Sequence, residues 1–477
     1  MVSSLVLIPL IIAALAALAP SERWRPWLLP LGAAIHLGLV CQLIWIPKAS
    51  EWGGWLVLDP LGKIFLLLIS VLFLLCMFYA PAYLRMRPDH TNRILCACLM
   101  IGLSMMSLVI LSHHLGLMWV AMEATTLASA PALYFERNLR SLEATWKYLV
   151  ICSVGIALAL LGSFFLAYAS LVAGRESSLL FDDLVRQAPE LSRSWLHAAF
   201  VLLFVGYGTK MGLAPMHTWK PDAYGETPGL IGALLAGGLV NCAFLAVLRF
   251  YKIGAAAGDT RFMQNILIFM GLLSMIAAAV FMVRQRDFKR MLAYSSIEHM
   301  GILVLALGVG GTALFAMLLH VLNNGLTKGV LFLSAGNIHR AYGSKLVGEV
   351  SGALRRVPLS GGLFLAGFLA ITGSPPFGPF ISEFSILNAT LGSGHYVAGS
   401  LFVVLLAAVF FAMGPTVLAV VLGNAGKPLQ DTSFREGVGI GAPIVALMGL
   451  VLMLGVYIPP PLASLLLEAA NYLEPMR

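Results

Sequence analysis

Apolar runs of about 20 residues, separated by short polar stretches, recur along the whole chain. Each could cross the ~30 Å hydrocarbon core of a bilayer as a helix rising 1.5 Å per residue. On that measure the pattern predicts about 14 spans. Their limits are 2–19, 28–46, 61–83, 93–112, 114–135, 143–172, 195–215, 228–250, 262–283, 292–309, 312–338, 359–390, 397–423 and 438–458. No connection is long enough for a soluble domain; the longest polar one is Ala173 to Ser194. The run 2–19 ends in small residues, as a secretory leader does, but has no positive segment before it. It is expected to be a retained first helix. The expected fold class is therefore an all-α polytopic membrane protein.

Two spans are interrupted in matching ways. The seventh carries Lys210-Met-Gly212-Leu-Ala-Pro215, and the twelfth carries Gly373-Ser-Pro375-Pro376-Phe-Gly378-Pro379 followed by Glu383. Proline removes a helix hydrogen bond and collides with the preceding turn, so both spans should kink or unwind. Matching breaks in two halves point to an inverted-repeat transporter. The expectation is two inverted five-helix repeats, spans 4–8 and 9–13. The chain then divides into 1–92 (spans 1–3), 93–251 (first repeat), 252–424 (second repeat), and 425–477 (span 14 and a short amphipathic tail).

Composition narrows the class. Only 11% of residues are charged, against about 25% in a soluble domain, so a polytopic membrane protein fits and a soluble enzyme does not. The six cysteines, Cys41, Cys76, Cys96, Cys98, Cys152 and Cys242, all lie in apolar segments, and none form a CxxC pair. No metal site, iron–sulfur cluster or disulfide framework is read from them; redox chemistry would belong to a partner. The net charge of +8 collects in loops: with the N-terminus outside, roughly 18 Lys and Arg fall on the inner face and roughly 8 on the outer. The inner set includes Arg25, Lys220, Lys289, Arg290 and Lys427. Both termini are expected on the non-cytoplasmic side, with the positive charge anchoring loops on anionic lipid rather than binding nucleic acid.

A few charges lie inside spans, where each costs roughly 2.5–3.5 kcal/mol on insertion scales. Lys328 lies in HVLNNGLTKGVLFLSAG, where His320, Asn324 and Lys328 share one helix face over about 12 Å. Glu123, with Thr126 one turn on, is the natural partner of Lys210. Moving a carboxylate relative to a buried lysine switches that lysine between holding and releasing a proton. Glu383 could end such a relay outside, or cap the helix restarting after Pro379. His217 and Asp222 could form an inner entry mouth or simply tie down a turn. Glu143 and Lys147 read as an interfacial pair, Lys63 as an outer snorkelling lysine, and His113 and His114 as an outer turn.

These residues resemble the antiporter-like membrane subunits shared by respiratory complex I, Mrp sodium/proton antiporters and group 4 membrane-bound NiFe hydrogenases. The resemblance is carried by KMGLAPMHTWKPDA, DFKRMLAYSSIEHMG and GSPPFGPFISEF. The stretch from Glu123 to Gly162 is most similar to component F of hydrogenase-4 and formate hydrogenlyase-type complexes. The resemblance implies that Glu123, Lys210, His320, Lys328 and Glu383 relay protons. It also marks two departures. Asn241 stands where the family often has a span-8 lysine, and Asn324 where it has a second span-11 histidine. Neither asparagine can carry a proton near neutral pH.

The resemblance implies a proton-translocating membrane subunit of a multisubunit oxidoreductase, most similar to a group 4 hydrogenase or formate hydrogenlyase-like complex, in a bacterial or archaeal cell membrane. No cofactor is expected in this chain. A NiFe centre and iron–sulfur clusters are expected in partner subunits, which include further antiporter-like subunits and peripheral redox subunits on the cytoplasmic side. The residues leave open an Mrp-type Na+/H+ antiporter subunit, a complex I-type M-like subunit, and a non-pumping scaffold.

Overall fold

In lipid, backbone N–H and C=O groups must be satisfied within the segment, so the apolar runs have little choice but to be helices. The computed structural model describes residues 1–477 except 48, 88–89, 259, 425–433 and 475–477; Lys427 and the end of the tail lie outside the described residues. The N-terminal part holds α1 (Ser4–Leu18), α2 (Leu28–Leu43), α3 (Pro60–Arg85), α4 (Arg93–Leu111), α5 (Leu115–Leu133) and α6 (Leu139–Val172). A short antiparallel pair, β1 (Ala49–Glu51) and β2 (Leu56–Leu58), joins α2 to α3, with Ser50 opposite Val57.

The middle holds α7 (Phe181–Gln187), α8 (Arg193–Met211), α9 (Trp219–Glu226), α10 (Gly229–Leu234), a π turn at Leu235–Leu239, α11 (Val240–Ala256), α12 (Thr260–Met282) and α13 (Phe288–Val309). Then follow α14 (Ala313–Tyr342), α15 (Ala353–Arg356), α16 (Pro358–Ile371), α17 (Gly378–Gly392), α18 (Tyr396–Leu422), α19 (Val438–Val456) and α20 (Pro460–Leu473).

Every expected span falls on a helix. Among the described residues, ten helices are long and apolar enough to cross a membrane, with α1 and α16 shorter apolar helices. The helices carrying Glu123 and Lys210, α5 and α8, are outside that set of ten. Both interruptions are real. The seventh span stops at Met211, turns at Gly212 in the left-handed region (φ 78°) and restarts as α9. The twelfth stops at Ile371 and restarts at Gly378 as α17. The Ala214–Pro215 and Pro375–Pro376 peptides within the two breaks are cis.

Helix α14 is the axis of the molecule. It packs against α3, α10, α13, α16, α17, α19 and α20, and nearly all its residues are buried. Gly237 and Gly325 let the π turn approach it closely. A Cβ on Gly237 would sit 2.6 Å from the Gly325 carbonyl oxygen, so neither position has room for a side chain.

Not every loop cation is exposed. Lys220 and Lys289, expected on the inner face, are buried, and so is Arg25. Lys220 is drawn in because α9 folds back beneath the break; Lys289 donates to the Thr227 carbonyl; Arg25 donates to Asn92 Oδ1 and the Ala19 carbonyl. Lys63 is covered by α20, with Nζ 3.8 Å from Glu468 Oε1.

Candidate functional site: a line of buried lysines

Lys210 ends α8, and the helix break leaves its fully buried amino group facing α5 and α6. Nζ donates to Thr126 Oγ1 at 2.6 Å and to Tyr148 OH at 2.9 Å. Thr126 donates in turn to Glu123 Oε2 at 3.4 Å, while Ser153 donates to Glu123 Oε1 at 2.6 Å. The expected Glu123–Lys210 pairing is thus relayed through a hydroxyl rather than made as a direct salt bridge. Glu123 itself is only half-buried.

Lys328, fully buried on α14, donates to Ser295 Oγ of α13 at 2.7 Å. One turn after Ser295 on the same helix come Glu298 and His299, with His299 Nε2 4.0 Å from Glu298 Oε2. His299 Nδ1 lies 3.0 Å from His320 Nε2, and His320 Nδ1 lies 2.9 Å from Ser382 Oγ on α17. His299 Nδ1 is also 3.8 Å from Glu383 Oε1, an oxygen with no hydrogen-bond partner. Between His320 and Lys328, the buried Asn324 amide has neither atom hydrogen-bonded to protein, so it is placed to bind water. Glu383 lies five residues past the start of α17 and does not cap it. It opens onto a groove of about 500 Å³ between α17 and α18.

Between the two centres lies Lys220, 0% exposed. Its Nζ donates to the Met211 carbonyl at 2.6 Å and approaches the Ser296 carbonyl at 3.4 Å. Asn241 turns back to its own helix, with Nδ2 on the Gly237 carbonyl at 2.8 Å. Among the described residues, Lys210, Lys220 and Lys328 have no carboxylate within the 4.0 Å of an ion pair.

At one end, Asp222 is held by Lys147 at 2.9 Å and Arg290 at 3.0 Å, and it lines a polar cavity of about 430 Å³. Lys147 also keeps its Glu143 partner at 2.6 Å. His217 does not join Asp222; its ring centroid lies 5.8 Å from that of Phe281.

The other end holds a different cluster. Arg249, 0% exposed, donates to the Ser112 carbonyl at 2.5 Å and to the Ile110 carbonyl, which close the end of α4. Its NH2 lies 3.5 Å from Asp59 Oδ2, which is 3.1 Å from His113 Nε2. Burial alone would raise the Asp59 carboxyl, but the Arg249 charge, His113 and the Gly62 N–H together hold it well below the usual carboxylate range.

Sequence reasoning passed over Lys220, Ser295, Glu298, His299, Ser382, Tyr148 and the Asp59–Arg249 pair. Glu298 and His299 had a signal, since both lie inside the expected span 292–309. The hydroxyls of Tyr148 and Ser295 had none.

One atom each from His299, His320 and Glu383 lie within 4.8 Å of one another, a spacing a cation could use. The two imidazoles, however, are already hydrogen-bonded to each other, which suits a proton better.

Residues 112–411 match the family model described as NADH:quinone oxidoreductase/Mrp antiporter, TM. A hydrogenase-4 component F homolog from Methylacidiphilum infernorum is 34% identical over 470 residues, covering 96% of each chain. NADH-quinone oxidoreductase subunit N from Desulforudis audaxviator is 33% identical over 76% of this chain and 72% of its own. Among solved structures, a chain of respiratory complex I from Thermus thermophilus with bound aureothin matches with a TM-score of 0.78 at 26% identity, covering 96% of this chain and 97% of that one. A chain of an archaeal membrane-bound sulfane sulfur reductase shares the fold with a TM-score of 0.89 at 22% identity, covering 99% and 97%.

Proposed function

The chain belongs to the NADH:quinone oxidoreductase/Mrp antiporter family of transmembrane subunits, and from that premise we propose that it translocates protons within the membrane arm of a respiratory-type complex. The observation that carries this reading is Lys328. It is fully buried at the centre of the fold, bonded only to a hydroxyl, and followed along its helix face by Asn324 and His320, whose chain ends at Glu383. Burying an ammonium without a counter-ion is costly, and such residues in a membrane mark ion pathways.

In this reading protons enter from the cavity beside Asp222, and Glu123 moves closer to or further from Lys210 as neighbouring subunits react. The shared Thr126 hydroxyl makes Lys210 sensitive to that movement. A carboxylate drawing near favours the ammonium, and one drawing away favours release. Lys210 hands its proton toward Lys328, which delivers it through His320 and His299 to Glu383.

The hydrogenase-4 component F likeness makes a group 4 NiFe hydrogenase or formate hydrogenlyase-like complex the favoured setting. The NiFe centre and iron–sulfur clusters then lie in partner subunits. Residues 93–251 and 252–424 are read as inverted repeats, supported by the two breaks, each beside a buried charge. Glu51 accepts from the Val2 and Ser3 N–H groups, and α20 packs near Lys63 and Lys252. The N-terminus and α20 are read as sharing a face, and the loop charges support its being the non-cytoplasmic one.

Replacing Lys328 by Met in the assembled complex tests this. Proton uptake by inside-out vesicles should fall to background while electron transfer and co-purification of partners persist. Unchanged uptake would refute the reading, and uptake that requires sodium would recast the chain as an Na+/H+ antiporter subunit.

A further inference from the structure

Resting on that reading, we infer that Lys220 is the proton carrier between Lys210 and Lys328, supplying from α9 the titratable group that Asn241 cannot. The geometry brings the two centres to one nitrogen. Lys220 Nζ bonds the carbonyl of Met211, the residue next to Lys210. It also faces the carbonyl of Ser296, the residue next to Ser295, whose hydroxyl holds Lys328. An ammonium has three donors, so a third N–H remains for a water on either side. Its stem runs close over Gly212, where a Cβ would stand only 2.6 Å from Lys220 Cδ. That glycine's left-handed turn is what lets the lysine pass back under the end of α8.

A purely structural role accounts for less. A lysine can cap the open end of a broken helix, since cations favour helix C-termini. Yet a neutral amide or a water would satisfy the Met211 carbonyl without burying a charge that has no counter-ion. Nor can the span-8 position do the work, because Asn241 has no titratable group: its Nδ2 donates to the Gly237 carbonyl and its Oδ1, though free, cannot hold a proton near neutral pH. The transfer itself is simple. Protonated Lys210 gives its proton through water to neutral Lys220, becoming a free amine. Lys220 then gives one to neutral Lys328, leaving Lys210 and Lys220 as free amines ready to be reloaded, and Lys328 returns to the neutral state when it passes the proton on toward His320.

The test uses the intact complex in inside-out vesicles, comparing wild type with K220Q, K220R and K328M. Electron transfer, partner co-purification and protons moved per electron are measured together. Gln can still donate to the Met211 carbonyl but carries no proton, and Arg keeps the charge but does not release it. The expected result is at least a tenfold fall in protons per electron in both Lys220 variants, with electron transfer and assembly kept. Wild-type pumping in K220R or K220Q overturns the inference, assigning Lys220 to a fixed charge or a helix cap. Failure of both to assemble overturns it in the same way. If K328M also pumps, the wider proton reading falls; if K328M alone is silent, only the Lys220 step falls.

Discussion

Arg249 and Lys328 are both cations shut fully away from water, yet their surroundings differ in kind. Arg249 is tied to the last carbonyls of α4 and faces Asp59, which is itself braced by His113 and the Gly62 N–H. Lys328 has one hydroxyl, and Lys210 and Lys220 have only hydroxyls and carbonyls. An opposite charge at close range fixes a protonation state, whereas neutral partners bond an amine in either state. On the proposed reading the Arg249 cluster holds charge still, while the lysine line would let it leave. Burial alone does not distinguish structure from function here; the nature of the partner does.

The comparison breaks if the two groups respond alike to substitution. Arg249→Met should have the largest effect on stability, about 3–5 kcal/mol lost, because it strands a buried carboxylate and the ends of α4. Thermal unfolding in detergent measures it, and protons per electron should be unchanged in the complex that survives. Asp59→Asn should destabilise by a similar or smaller amount, with a pH signature. The folded carboxyl is held below its unfolded value of about 3.9. Its stabilisation is then complete above about pH 4 and disappears as pH falls through the folded value. The gap between wild type and variant should be constant from pH 8 to 5 and close only in stronger acid.

Lys210→Met should invert this behaviour. Protons per electron should fall tenfold or more, while thermal stability changes far less than in Arg249→Met, since no close ion pair is broken. Glu123→Gln should be milder, roughly three- to tenfold in pumping, because Glu123 is half-buried and stands off from Lys210 across the Thr126 hydroxyl rather than touching it. Smallest of all, Glu143→Ala should change stability by less than about 0.5 kcal/mol, as expected of an exposed pair. A large loss of pumping there would move the entry mouth from Asp222 to Glu143.

Much of this was legible from residue pattern. The helices follow from apolar runs, and the breaks at Gly212–Pro215 and Gly373–Pro379 from backbone chemistry. Lys210, Lys328, His320 and Glu383 stood out because each is polar in an apolar setting. Lys220 did not, for the opposite reason. Its neighbours His217, Thr218, Pro221 and Asp222 give the segment the composition of a surface loop, and only the fold turns α9 back inside. Glu298 and His299 lay within an expected span, but as part of the polar stretch Ser295-Ser296-Ile297-Glu298-His299 near its start they did not stand out as isolated charges. Nothing in the order of residues could show that Thr126 stands between Glu123 and Lys210, since α5 and α8 meet only in three dimensions.

The central placement of α14 constrains where motion can occur. A rod clasped by seven neighbours should exchange its amide hydrogens with deuterated solvent last of all, at rates set by global opening. It therefore behaves as a stator during turnover. Any stroke that gates the passage of charge then falls away from this rod, on α5 and α8, where Glu123 and Lys210 stand apart from it.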